Sequence, residues 1–304
     1  MPRNEKAGVW PVMLTPFTED GRIDYAAVDA LIAFYESAGV AGLFAVCQSS
    51  EMFFLSRPER VALAAYVKAR ARVPVIASGH VSYAPDDQIE ELKAIAGTGV
   101  DAVILITNRM AEKGASDADW LRGLSRLLNA LPESVPLGLY ECPYPYKWVL
   151  SDEVLRHCAA TGRFRFLKDT CCELARIKKR VGLLNGSGLA LYNANTATLL
   201  SSLRAGAAGF SGVMANFHPE LYVWLCEHFA DQPEKADRLQ AALTMCSQIE
   251  RQCYPVNAKA YLRGAGLPMG IATRVRSAHE MTPLYFDEVE QLRTLTAFLQ
   301  DMIR

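Results

Sequence analysis

No run in the 304-residue sequence approaches the roughly 18 apolar residues of a membrane-spanning helix. Its opening stretch, Met-Pro-Arg-Asn-Glu-Lys-Ala-Gly, holds no apolar signal core. The expectation is a cytoplasmic protein without a membrane partner. Charge of one sign is missing as well: 32 basic residues against 33 acidic give a formal net charge of -1, and no basic block is present to track a phosphate backbone. Nucleic acid is not an expected partner. Eight cysteines, at 47, 142, 158, 171, 172, 226, 246 and 253, form no C-x-x-C pair, and the five histidines form no H-x-x-x-H pair. Without those spacings, reduced thiols and no metal site are expected.

What the chain does have is a 51% hydrophobic content, enough for a large core in one big α/β domain or two smaller ones. Apolar runs at 9–14, 41–47, 73–78, 102–106, 136–140, 164–168, 189–192 and 209–213 read as strands. Helical periods follow each: 24–39, from Ser56 with Pro58 and Glu59 in its first turn, 85–98, 117–131, from Ser151, 173–181, 196–205, and from Pro219. Three junctions share one glycine refrain, Ala-Gly-Val-Ala-Gly at 38–42, Thr-Gly-Val-Asp-Ala at 98–102 and Ala-Gly-Ala-Ala-Gly at 205–209, as expected where helices end in a left-handed residue. Eight such units in about 220 residues predict a closed (β/α)8 TIM barrel, with an open doubly wound sheet as the competitor. No G-x-G-x-x-G follows the first strand, which weakens the dinucleotide-binding version of that sheet. From 232 the pattern turns helical, at 234–253, 256–264 and 284–302. The expected division is a barrel over 1–230 and a helical C-terminal segment over 231–304 packed on it.

Strand six sets the chemistry. In Arg163-Phe-Arg-Phe-Leu-Lys-Asp-Thr170, period-two alternation puts Phe164, Phe166 and Lys168 on one face, with Arg165, Leu167 and Asp169 on the other. A lysine at a strand end commonly snorkels into solvent. Held among phenylalanines it is desolvated instead, which lowers its pKa toward about 7 to 8 and makes a nucleophilic amine. In a barrel the reactive groups gather at the C-terminal strand ends. Those ends offer Gln48, Ser49 and Ser50, whose hydroxyls and backbone N–H groups suit a carboxylate, and Tyr140, suited to moving a proton beside an imine. They also offer Asn193, Asn195 and Ser211 for the polar remainder of a substrate.

Several motifs, taken in order, resemble the dihydrodipicolinate synthase and N-acetylneuraminate lyase superfamily. They are Leu14-Thr15-Pro16-Phe17 with Asp20-Gly21-Arg22-Ile23-Asp24, Ser49-Ser50-Glu51 with Leu55-Ser56, Leu139-Tyr140 with Pro143, Leu167-Lys168-Asp169, and Gly206-Ala207-Ala208-Gly209 with Ser211-Gly212. The resemblance implies a class I lyase or aldolase in which pyruvate or another 2-oxo acid condenses with Lys168. Tyr140 would then be the proton-moving tyrosine and Ser49 the carboxylate grip. It implies no metal and no organic cofactor, and a homo-oligomer, dimer or tetramer.

Three departures bear on the substrate. The family's Gly-Thr-Thr-Gly-Glu stands here as Cys47-Gln48-Ser49-Ser50-Glu51, so Gln48 replaces a relay hydroxyl. The aromatic pair after strand four is replaced by Thr107-Asn108-Arg109-Met110, and the arginine that would bind the semialdehyde carboxylate falls on Pro145. These losses argue against the lysine-pathway semialdehyde as substrate. Two alternatives are a 2-keto-3-deoxy sugar acid dehydratase and a non-catalytic paralogue that binds a 2-oxo acid.

Overall fold

The computed structural model describes residues 7–304. Strands and helices alternate as β1 (Gly8–Val9), α1 (Tyr25–Ser37), β2 (Leu43–Phe44), α2 (Arg57–Arg70), β3 (Val75–Ala77), α3 (Pro85–Ala96), β4 (Ala102–Ile106) and α4 (Asp117–Ala130). They continue as β5 (Leu137–Tyr140), α5 (Asp152–Ala160), β6 (Phe164–Asp169), α6 (Leu174–Leu184), β7 (Ala190–Asn193), α7 (Leu199–Arg204), β8 (Gly209–Phe210) and α8 (Pro219–His228). The C-terminal segment adds α9 (Pro233–Cys246), α10 (Val256–Gly264) and α11 (Pro283–Ile303).

All eight strands are parallel, in the order β1-β8-β7-β6-β5-β4-β3-β2. The remaining seam is stitched by a parallel bridge between Val12 and Phe44, where Met13 N–H donates to the Phe44 carbonyl and Phe44 N–H to that of Pro11, both at 3.0 Å. This closes the ring and makes the fold a (β/α)8 TIM barrel with C-terminal helices, not an open sheet. Strands one, two, three and eight are shorter than the apolar runs suggest. At the first of them Pro11 has no N–H to give, so the ladder lapses after Val9 and the chain continues as an irregular extended segment.

Local chemistry sets the helix ends. Ser56 caps α2 with a full capping box to Glu59, Ser116 caps α4 in the same way with Asp119, and Asp24 and Ser151 cap α1 and α5. Gly39, Gly99 and Gly206 all take positive φ just past α1, α3 and α7, as the repeated junction predicts.

The barrel interior is unusually aromatic. Phe166 stacks on Tyr192 at 4.3 Å between ring centres, Trp10 meets Phe166 edge-on at 5.4 Å, and Phe44 meets Tyr140 at 5.7 Å. These rings form a dry floor beneath the C-terminal ends of the strands. Above it, the C-terminal segment is tied to the β2 loop by Glu51. Its carboxylate accepts from Lys259 Nζ at 3.0 Å and from the backbone N–H groups of Arg274 and Val275. Three donors on one buried carboxylate explain why the helical segment and the barrel mouth form one wall.

Candidate active site

Lys168 and Tyr140 lie opposite one another in the β5–β6 register. Both point inward, and the lysine Nζ sits 4.5 Å from the centre of the phenol ring. Lys168 is 4% exposed, with no ion pair among the described residues. Burial lowers its pKa to about 8, only partly opposed by Cys47, Cys142 and Glu250. Burial likewise lifts the Tyr140 phenol well above its ordinary value, so its proton is held at neutral pH. That phenol donates to Gln48 Oε1 at 3.4 Å, and the Cys142 thiol, pushed up to about 11 by burial, donates to the same oxygen at 3.5 Å.

The outward sides of the same two strand ends share one guanidinium. Arg180, on α6, is fully buried and spans Glu141 at 2.8 Å and Asp169 at closer range, while also donating to the Leu150 carbonyl. Glu141 Oε2 in turn accepts from Thr170 N–H at 3.1 Å. Alternation therefore assigns each strand end one reactive side chain inward and one clamped carboxylate outward. The clamp fixes the register on which the pairing of Lys168 and Tyr140 depends.

Ser49 lies at the mouth against the Tyr254 phenol, which Asn216 also holds at 2.9 Å. Among the described residues the backbone N–H groups of Gln48 and Ser49 have no acceptor, whereas those of Ser50, Glu51 and Met52 turn back onto the loop. Two free amides beside a hydroxyl are donors of the kind that can hold an anion.

Lys168, Tyr140, Gln48 and Ser49 are thus brought together, but other expected site residues are not. Ser50 requires correction: its buried hydroxyl serves the carbonyls of Met13 and Ala45 and accepts from Cys47 N–H, so it shapes the loop instead of facing a ligand. Asn193 also requires correction. It pairs with outward-facing Asp169, and its amide is spent on Thr198 and Ser202. Ser211 is fully buried with its hydroxyl on the Trp10 carbonyl at 2.9 Å, which removes it from the substrate list. Asn195 stays at the mouth, where its carbonyl oxygen caps the turn at Thr198 and its side chain meets Cys172.

Other residues here had no signal in the sequence reading. Arg180 sits in the run Lys178-Lys179-Arg180, which looks like a solvated helix face. Tyr254 and Glu250 come from the C-terminal segment, whose reach over the barrel mouth no periodicity reports.

The match to known proteins covers nearly the whole chain. The model of the dihydrodipicolinate synthetase family matches residues 5–295. The chain belongs to that family. A 4-hydroxy-tetrahydrodipicolinate synthase from Sorangium cellulosum is 30% identical over 295 residues, covering 91% of this chain and 96% of the relative. Among solved structures, YagE, a prophage protein of the dihydrodipicolinic acid synthase family from E. coli K12 in complex with pyruvate, superposes with a TM-score of 0.84 at 23% identity, covering 98% and 99% of the two chains. The chloride-inhibited dihydrodipicolinate synthase of Acinetobacter baumannii, complexed with pyruvate, gives 0.84 at 22% identity over 96% and 99%. These two share the fold. Membership of the dihydrodipicolinate synthetase family makes this chain a lyase of the class I aldolase type.

Proposed function

We propose that the chain joins the ketone of pyruvate or another 2-oxo acid to Lys168 as an imine and makes or breaks a bond beside it. The observation that carries this reading is an unpaired, desolvated lysine opposite a protonated phenol at adjacent strand ends. The Lys168 amine attacks the ketone carbon and water leaves. The resulting iminium withdraws electrons from the neighbouring carbon. Tyr140 carries the proton to and from the atoms beside the imine, with Gln48 orienting its hydroxyl. The Ser49 hydroxyl and the free amides of Gln48 and Ser49 hold the carboxylate next to the ketone.

The remainder of the substrate is a neutral polar tail, not a semialdehyde carboxylate. Pro145 supplies no guanidinium. Asn108 is consumed by the carbonyls of Cys142, Tyr144 and Tyr146, so it braces the β5 loop instead of relaying a proton. Eight cysteines without a disulfide suit a reducing cytoplasm. The same reading carries a homo-oligomer, dimer or tetramer, which light scattering decides.

Incubation with pyruvate and borohydride, followed by peptide mass analysis, tests the proposal. A reduced pyruvate adduct on Lys168 is expected, and its absence overturns the reading. Product analysis, aldehyde release against loss of water, then separates aldolase from dehydratase.

A further inference from the structure

Three arginines among the described residues are buried, and two of them meet carboxylates: Arg60 pairs with Glu91, and Arg180 with Glu141 and Asp169. Arg109 is the third. It ends the 3-10 turn Thr107–Arg109 after β4, is 7% exposed, and has no ion pair among the described residues. Two rings flank its guanidinium carbon, Tyr83 with its centre at 4.1 Å and Phe53 at 5.5 Å. Nε donates to the Val81 carbonyl at 2.8 Å, and Nη1 reaches only the backbone and side-chain oxygens of Asn108, both at 3.4 Å. Nη2 has no acceptor among the described residues. A buried cation without an anion is costly, and ring faces return only part of what a carboxylate would.

The missing anion has a place to sit. Arg109 lines a cavity of about 590 Å³ bounded by the start of α3, the loop from β4 to α4, and α4 itself. Lys113 and Arg126 also line it, against one acid, Glu112, and none of these three is in an ion pair among the described residues. Three positive charges less one negative leave an excess of two. The walls are preformed. A Cβ on Gly123 would stand 1.9 Å from the Met110 carbonyl oxygen, so α4 keeps a glycine where the loop presses on it. Trp120 Nε1 donates to the Thr107 carbonyl at 2.8 Å, and the Tyr146 hydroxyl to those of Asn108 and Ala111 at 3.0 Å. Lys168, Tyr140, Gln48 and Ser49 do not line this cavity, which makes it separate from the active site.

We propose that this cavity is a second binding site, for a small organic dianion of the phosphate monoester or dicarboxylate kind, seated on the Nη edge of Arg109. A guanidinium edge offers two parallel N–H donors, which suit two oxygens of either group. Lys113 and Arg126 supply the remaining charge from the exposed rim, and two negative charges balance the excess of two. The volume lies in the range of small-molecule sites. The rings of Tyr83 and Phe53 and the bond to Val81 hold the guanidinium in place before any ligand arrives, so little side-chain freedom is lost on binding.

Calorimetric titration of the full chain in about 0.15 M sodium chloride, where exposed charges are screened, tests the proposal. The probes are ribose 5-phosphate and succinate, with ribose as the uncharged control. Saturable binding of at least one dianion is expected, at one site per chain and with a Kd below about 1 mM, and none of ribose. Binding of ribose 5-phosphate alone assigns a phosphate ester, and of succinate alone a dicarboxylate. Arg109→Met is expected to weaken binding about thirtyfold or more, because a buried charged partner is lost. That loss also places the ligand here and not beside Lys168. The double variant Lys113→Gln/Arg126→Gln, both at exposed positions, is expected to weaken it about three- to tenfold, and it carries the test should Arg109→Met fail to fold. Failure of both dianions to bind overturns the proposal, and so does binding that no folded variant weakens.

Discussion

The amine of Lys168 and the ring of Tyr140 face each other across one rung of the β5–β6 ladder, 4.5 Å apart, and both side chains are buried. Two strands in register thus fix the relative position of the two side chains to which the proposal gives the roles of nucleophile and proton carrier. Because burial opposes charging the amine, the neutral form persists to lower pH than in an ordinary lysine.

The rate of imine formation follows from that. At pH 7 a lysine of pKa about 8 is roughly one-tenth neutral amine, against roughly three parts in ten thousand at an ordinary 10.5. The initial rate of borohydride-trapped pyruvate incorporation should rise about tenfold per pH unit up to roughly 8 and then level. A rise continuing unbroken to pH 10 would show an ordinary, hydrated lysine.

The same desolvation costs stability. The folded pKa lies below the unfolded one, so the penalty is fully present below about pH 8 and fades as pH rises toward 10.5. That gap corresponds to about 3 kcal/mol. Lys168→Met, similar in length and apolar, should be inactive yet more resistant to urea at pH 7, with its advantage shrinking above pH 8. A Met variant less stable than the parent at pH 7 would contradict a desolvated amine.

Arg180 carries the opposite risk. It is fully buried between Glu141 and Asp169, and removing it strands two buried carboxylates. Arg180→Met should cost about 3 to 5 kcal/mol in urea unfolding at pH 7. The loss should be smaller at pH 5, because burial raises the Glu141 pKa and protonation can neutralise that carboxyl once Arg180 is gone. A loss under 1 kcal/mol at pH 7 would mean the clamp does not hold the strand ends.

Much of this was legible in the sequence because the barrel repeats one unit. The alternation in strand six placed Phe166 and Lys168 inward and Asp169 outward, and Ser56, Ser151 and Asp24 marked helix starts by their own chemistry. Asn193 was misplaced for a reason of parity. Ending strand seven at Tyr192 left the next residue free to face the cavity, whereas one more paired residue turns it outward. The end of α9 was hidden differently: the sequence reads as an unbroken helix over 234–253, but the helix stops at Cys246 and a 3-10 turn follows over Ser247–Arg251. Tertiary closure of that kind leaves no periodic trace.

Asn193 offers a direct check on the correction. Its amide bonds Thr198 at 2.9 Å and Ser202 at 3.0 Å, so Asn193→Ala should lower unfolding free energy by about 1 to 3 kcal/mol. The KM for any 2-oxo acid should stay within twofold. A selective rise in KM with unchanged stability would restore it to the substrate site.

Gln48 separates proton handling from imine formation. Its Oε1 receives both the Tyr140 hydroxyl and the Cys142 thiol. Gln48→Leu removes the acceptor at little change in bulk, leaving the phenol free to rotate out of line. Pyruvate trapping should be retained while kcat for bond making or breaking falls about tenfold or more. Gln48→Glu should behave differently, since a carboxylate there favours the ammonium form of Lys168 and so raises its pKa. Trapping at pH 7 should then slow, and the pH at which it levels should move upward. If both variants slowed trapping equally, Gln48 would be serving the fold of the loop and not the phenol.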